Sequence, residues 1–126
     1  MTGHGRVLVV DDDPEVLDAL GEILDGLGYE VSTATSVEQA IAAMTASRPQ
    51  VVFLDLLMPG ISGLEALTYF RQHHRTLPVI VITGDPGHER VQKARAAGAF
   101  DVLAKPFSMA TLQSLAARDL REVRPG

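Results

Sequence analysis

Val7-Leu-Val-Val-Asp-Asp-Asp-Pro-Glu15 decides how the rest of the chain is read, because four apolar residues run directly into three carboxylates and a proline. An unbroken apolar run suits a strand buried on both faces, the situation in a parallel sheet covered by helices. Pro14 fits the first position of a following helix, and Asp13 is then its natural cap rather than a ligand. That leaves Asp11 and Asp12 at the end of a buried strand. Like charges about 4 Å apart repel by about 1 to 4 kcal/mol across the water-to-surface dielectric range, so a cation is expected there.

The same pattern recurs along the chain. Val51 to Leu54 and Val79 to Ile82 are further continuous apolar runs, while Tyr29 to Thr33 alternates and Asp101 to Ala104 is only partly apolar, which marks these two as outer strands. Between the strands lie helical periods. Val16, Leu17, Leu20, Ile23, Leu24 and Leu27 share one face, ended by Gly28. Val37, Ala40, Ile41 and Met44 mark a second helix, with Ser36 and Gln39 spaced as a capping box. Leu64, Leu67 and Phe70 mark a third, and Val91, Ala94 and Ala97 a fourth before Gly98. Met109, Leu112, Leu115 and Ala116 mark a fifth, with Ser108 as N-cap.

The result is βαβαβαβαβα, an α/β domain on a parallel sheet. Right-handed crossovers, with the three most apolar strands in the middle, give strand order 2-1-3-4-5. Ligands then bind beyond the carboxyl ends of the strands, at the switch point between strands 1 and 3. The 126 residues make one domain, with a core over about 6–120 and loose ends at 1–5 and 121–126.

Composition narrows the function. No segment approaches the roughly 20 apolar residues that span a bilayer, and no secretory signal precedes Val7, so no membrane role and a cytoplasmic location are expected. The absence of cysteine excludes disulfides, thiolate metal sites and a cysteine nucleophile. A net charge of -5 argues against nucleic-acid binding by this domain alone.

Five strand-end residues carry the chemistry: Asp11 and Asp12, Asp55, Thr83 and Lys105. Oxygen donors without histidine or cysteine suit Mg²⁺, with Mn²⁺ or Ca²⁺ as alternatives. Lys105 is one of only two lysines against nine arginines, and an ammonium there can act as a point charge on an anion. The plainer alternative is a salt bridge with Asp55. Lys105-Pro106 is a candidate cis peptide. Thr83 could be an ordinary β-branched strand residue, yet Gly84 follows it, where a ligand needs space. His73 and His74 lie in the polar link Gln72 to Arg75 and His4 near the start, and none is expected to bind metal.

The segments VLVVDDDP, VVFLDLLMPGISGLE, VIVITG and AGAFDVLAKPF, in this order and spacing, resemble the successive signatures of response-regulator receiver domains of two-component signalling. The resemblance covers about residues 6–120, and the wording is most similar to receivers of the nitrogen-fixation regulator type. It implies a flavodoxin-like (βα)5 three-layer sandwich. It implies that Asp55 accepts a phosphoryl group from a sensor histidine kinase or histidine phosphotransfer protein, with Mg²⁺ as cofactor. Asp12 would bind the metal directly, Asp11 through water, and the Leu57 backbone carbonyl would be a third protein ligand. Thr83 and Gly84 would switch against the phosphoryl group, and Lys105 would pair with it. Pro59 and Gly60 would shape the loop after the acceptor, and Gly63 would let the chain turn into the third helix. The surface of the fourth helix, fifth strand and fifth helix would bind a second copy or an effector. The domain would be a phosphoacceptor that assists its own phosphorylation and dephosphorylation, not a classical enzyme.

One position departs from the pattern. Receivers carry Tyr or Phe three residues before the lysine, and this chain has Val102. Phe100 shares its strand face and is expected to pack near the strand's start, with substitution for the missing ring as the other reading. Asp85, Pro86 and His88 flank the site in the loop after Thr83.

Two other functions fit part of the pattern. A haloacid-dehalogenase-type phosphatase needs a second Asp two residues after its nucleophile, where this chain has Leu57. A receiver-like binding module that works without phosphorylation keeps the same residues. No output segment follows the fifth helix, so a stand-alone regulator or part of a longer protein is expected.

Overall fold

A computed structural model describes residues 5–56, 63–84 and 87–120, with only the backbone of His88 and Asp119. Five strands and five helices alternate: β1 (Gly5–Val10), α1 (Pro14–Gly26), β2 (Tyr29–Ala34), α2 (Val37–Ser47), β3 (Val51–Asp55), α3 (Gly63–His73), β4 (Val79–Thr83), α4 (His88–Ala96), β5 (Asp101–Ala104) and α5 (Met109–Asp119). All neighbouring strands pair in parallel, in the order β2-β1-β3-β4-β5.

The central strands read as unbroken apolar runs because successive residues bury on opposite faces. Val7, Val9, Phe53, Ile80 and Ile82 pack with Leu17, Leu20 and Leu24 of α1 and Leu112 and Leu115 of α5. Leu8, Val10, Val52, Leu54 and Val81 pack with Ala40 of α2, Leu67 and Phe70 of α3 and Ala94 of α4. Three layers follow, two of helices and one of strands.

The helix starts follow local chemistry. Asp13 caps α1, its side chain accepting from the Glu15 N–H at 3.0 Å, with Pro14 at the first position. Ser36 and Ser108 cap α2 and α5 by accepting from the Gln39 and Thr111 N–H groups, each at 3.1 Å. The capping box at α2 is only half formed. Gln39 Oε1 accepts from the Thr35 N–H at 2.8 Å and the Thr35 hydroxyl at 2.9 Å, so the return bond goes to the residue before the cap.

Several expectations are corrected. Gly5 belongs to β1, buried and paired with Tyr29, so it is not one of the loose residues expected at 1–5. Helix α3 extends through His73, whose ring stacks on Tyr69 with centroids 4.1 Å apart, so part of the polar link is helix. Ile41 and Met109 are exposed, at 36% and 57%, so the buried stripes of α2 and α5 are narrower than their apolar residues suggest. Helix α2 ends on Arg48 in the left-handed region, φ 49°, and its carbonyl accepts from Arg6 Nε at 3.0 Å. A strand side chain thus supports the turn where glycine is usual.

Candidate functional site

The carboxyl ends of β1, β3, β4 and β5 converge. Asp11, one residue past β1, is fully buried; Asp55, the last residue of β3, is 3% exposed; Asp12 is exposed. One carboxylate oxygen from each lies within 4.8 Å of the others. Asp11 is held on both sides: its N–H donates to the Ala34 carbonyl at 3.1 Å, and its Oδ1 accepts from the Asp13 N–H at 2.9 Å. The capping residue therefore also orients a site carboxylate through its main chain.

The second oxygen of Asp11 points at Lys105. Nζ stands 3.0 Å from Asp11 Oδ2 and 3.6 Å from Asp55 Oδ2. The nearer contact is short but poorly directed, and Asp11 Oδ2 remains buried without a hydrogen-bond partner, so charge rather than a sound hydrogen bond holds the pair. Burial alone would lower the lysine pKa, but the carboxylates of Asp11 and Asp55 outweigh it and raise it above the ordinary value. Lys105 is held by β4 as well, its N–H donating to the Thr83 carbonyl at 2.8 Å. The peptide bond to Pro106 is cis, as the sequence suggested.

Three carboxylates face one ammonium, and a buried carboxylate oxygen lacks a proper partner. An all-oxygen donor set with that surplus of charge fits a hard divalent cation. Thr83, fully buried at the end of β4, and Gly84, with nothing within 4 Å of where a Cβ would stand, border the cluster. Gly63 is needed for closeness rather than for turning: a Cβ there would fall on the Leu56 backbone, whose carbonyl accepts from the Gly63 N–H at 3.2 Å. Leu57, Pro59, Gly60, Asp85, Pro86, His4 and the side chain of His88 lie outside the described residues.

Sequence reasoning brought Asp11, Asp12, Asp55, Thr83 and Lys105 together, and it named Asp55 as the lysine's plainer partner. The nearer partner is Asp11, and no local signal in the sequence distinguishes the two. Phe100 is corrected. It precedes β5, is 52% exposed, and donates its N–H to Val79, so it neither packs in the core nor approaches Thr83, about 13 Å further along β4. Val102 is half-buried against the cluster that contains Ala94. On the outer face Asp101 pairs with Arg118 of α5 at 2.5 Å and Arg95 of α4 at 3.9 Å, linking α4, β5 and α5.

Residues 7–117 match the family model of the response regulator receiver domain. The chain is 34% identical over 120 residues to the nitrogen assimilation regulatory protein NtrX of Azorhizobium caulinodans, covering 94% of this chain and 26% of that protein. It is 40% identical over 119 residues to the C4-dicarboxylate transport transcriptional regulatory protein DctD of Pseudomonas aeruginosa, again covering 94% of this chain and 26% of the other. The chain thus spans about a quarter of these relatives. Among solved structures, the receiver domain of NtrX from Brucella abortus superposes with a TM-score of 0.86 at 36% identity, over 92% of this chain and 98% of that one. The chemotaxis response regulator CheY4 of Vibrio cholerae gives 0.85 at 31%, over 91% and 98%. The fold agrees with these likenesses, and the chain belongs to the response regulator receiver domains of two-component signalling.

Proposed function

We propose that residues of about 6–120 form one receiver domain in which Asp55 accepts a phosphoryl group from the phosphohistidine of a sensor kinase or histidine phosphotransfer protein. The observation that carries this is the group of Asp11, Asp12 and Asp55 beside Lys105 at the carboxyl edge of the sheet. An Asp55 oxygen attacks phosphorus, the phosphorus–nitrogen bond breaks, and the imidazole leaves and takes up a proton. Asp11 and Asp12 would hold Mg²⁺, with Mn²⁺ able to replace it. The ion supplies charge neutralisation for the phosphoryl oxygens, which phosphoryl transfer needs more than covalent help. Thr83 and Gly84 leave room beside Asp55 for the transferred group, and the Lys105 ammonium neutralises it.

With Leu57 two residues after the acceptor, no side chain at that position orients a hydrolytic water, which favours an aspartyl phosphate lasting minutes or longer. The α4-β5-α5 face, tied by Asp101 to Arg95 and Arg118, is the surface we assign to a second copy or an effector. Among the described residues no helix is long and apolar enough to cross a membrane, and the kinase encounter is assigned to the cytoplasm.

Intact mass after incubation with acetyl phosphate, with and without Mg²⁺, tests the reading on the wild type and Asp55→Asn. One added phosphoryl group that needs both Mg²⁺ and Asp55 is expected. No added mass, from a folded protein that binds Mg²⁺, would replace the reading with that of a module recognising partners without phosphorylation.

A further inference from the structure

At the amino ends of β3 and β4, opposite the acidic cluster, a groove of about 370 Å³ opens to solvent. It is lined by Met44, Pro49, Gln50, His74, Thr76 and Leu77, from the end of α2 and the loops that lead into the two strands. Its floor is apolar. Pro49 and Leu77 are buried, Met44 is half-buried against the core, and Ile41, one turn earlier on the same flank of α2, is exposed.

The charge around the groove is opposite to that of the chain. Residues 44–50 and 71–78, which supply its walls, hold three arginines and two histidines and no carboxylate, in a protein of net charge -5. Cations near the C-terminal ends of α2 and α3 have an ordinary explanation, since the carbonyls there favour positive charge. Two arginines already meet that need. Arg6 Nε donates to the Arg48 carbonyl that ends α2, at 3.0 Å. Arg71 Nη2 lies 2.8 Å from the His74 carbonyl oxygen and 3.0 Å from that of Arg75, and its stem fills the space that a Cβ on Gly98 would take. Arg48 and Arg75, one on each loop, are in excess of it. Both are exposed, and among the described residues no carboxylate pairs with either of them or with His74.

We propose that this groove docks an acidic amphipathic helix of a partner protein, which seats apolar side chains on Ile41, Met44 and Leu77 while its carboxylates meet Arg48 and Arg75. A helix fits better than an extended segment for a topological reason. β3 and β4 are interior strands, paired on both sides, so no strand edge is open here to hydrogen-bond an added strand. Helical side chains at three- and four-residue spacing match the one-turn separation of Ile41 and Met44. Gln50 stands five residues before Asp55 on the same strand, about 17 Å away, so a partner held here leaves the acidic cluster open. The surface is distinct from the α4-β5-α5 face, and the proposal does not depend on Asp55 being the phosphoacceptor.

The test follows side-chain methyl signals of the whole chain by NMR during titration with a stapled helical peptide of Leu and Glu. A stapled peptide with Lys in place of Glu is the control. The Leu–Glu peptide should shift the methyls of Ile41, Met44 and Leu77 saturably, and the Leu–Lys peptide should not. Arg48→Glu combined with Arg75→Glu, both exposed positions, should weaken Leu–Glu binding at least about tenfold and admit the Leu–Lys peptide. Ile41→Asp, also exposed, should weaken Leu–Glu binding several-fold by removing the apolar contact. Absence of shifts at these three methyls, equal binding of the two peptides to the wild type, or unchanged affinity in the double variant with its sheet amide signals intact would overturn the proposal.

Discussion

Helices α1 and α4 follow strands that end at the same acidic cluster, yet they are held in opposite ways. Helix α1 starts on Asp13 and Pro14, and Leu17, Leu20 and Leu24 drive it into the core. Helix α4 starts on a glycine, and Ala94 is its buried residue among the described side chains. Burying a leucine side chain contributes about 1.5 to 3 kcal/mol, against less than half that for one methyl group. The acidic cluster thus stands beside the deeply seated helix, and the helix with one buried alanine among its described side chains stands beside Thr83. The difference teaches that two helices bordering one site can be seated to different depths through nothing more than side-chain size and capping.

The sharpest way to break this comparison is to weaken each helix in turn. Leu20→Ala should cost about 2 to 5 kcal/mol in urea unfolding, because Leu20 is fully buried and its removal leaves a cavity. Ala94→Gly should cost only about 1 to 2 kcal/mol, for lost helix propensity and one buried methyl. Equal losses would mean that α4 is as firmly seated as α1.

Next in size is the ammonium between the two sides. Replacing Lys105 by Met removes a positive charge 3.0 Å from Asp11, so Mg²⁺ affinity, measured by calorimetric titration, should rise by roughly threefold to tenfold. A weaker affinity would show that the lysine orders the carboxylates more than it competes for them.

Asp13→Ala should cost about 1 kcal/mol through the lost cap while leaving Mg²⁺ affinity nearly unchanged. The N–H that orients Asp11 belongs to the main chain and survives the substitution. A large fall in affinity would instead make Asp13 a ligand.

The smallest effect is on pH dependence. The pKa of Lys105 is raised in the folded state, so its contribution to stability is fully present below the unfolded value of about 10.4 and is lost as pH rises through the folded one. Wild-type stability should therefore fall above about pH 10.4 by an increment that Lys105→Met does not show, while near neutrality the contribution of this group does not vary with pH.

Much of the architecture is legible in short stretches. Unbroken apolar runs such as Val79 to Ile82 become double-faced strands, and Asp13, Ser36 and Ser108 cap helices because each bond spans only two or three residues. Site assembly is legible one step further, since parallel connection places the strand ends on one edge. Phe100 misled because apolar character alone does not say whether a residue before an edge strand has a neighbour to pack against.

By itself, then, the sequence determined the strands, the helix starts, the strand order and the set of residues at the carboxyl edge, because these depend on local periodicity, capping and chain connection. The tertiary structure alone decided that Lys105 leans on Asp11, that Gln39 bonds Thr35 rather than its own cap, that Arg6 supports the left-handed turn at Arg48, and that Arg71 sits among carbonyls under Gly98. Three of these join residues far apart in the chain, and at α2 two acceptable donors stand side by side. For the three distant pairs the packing of the elements, not any nearby residue type, sets the distance that selects the partner.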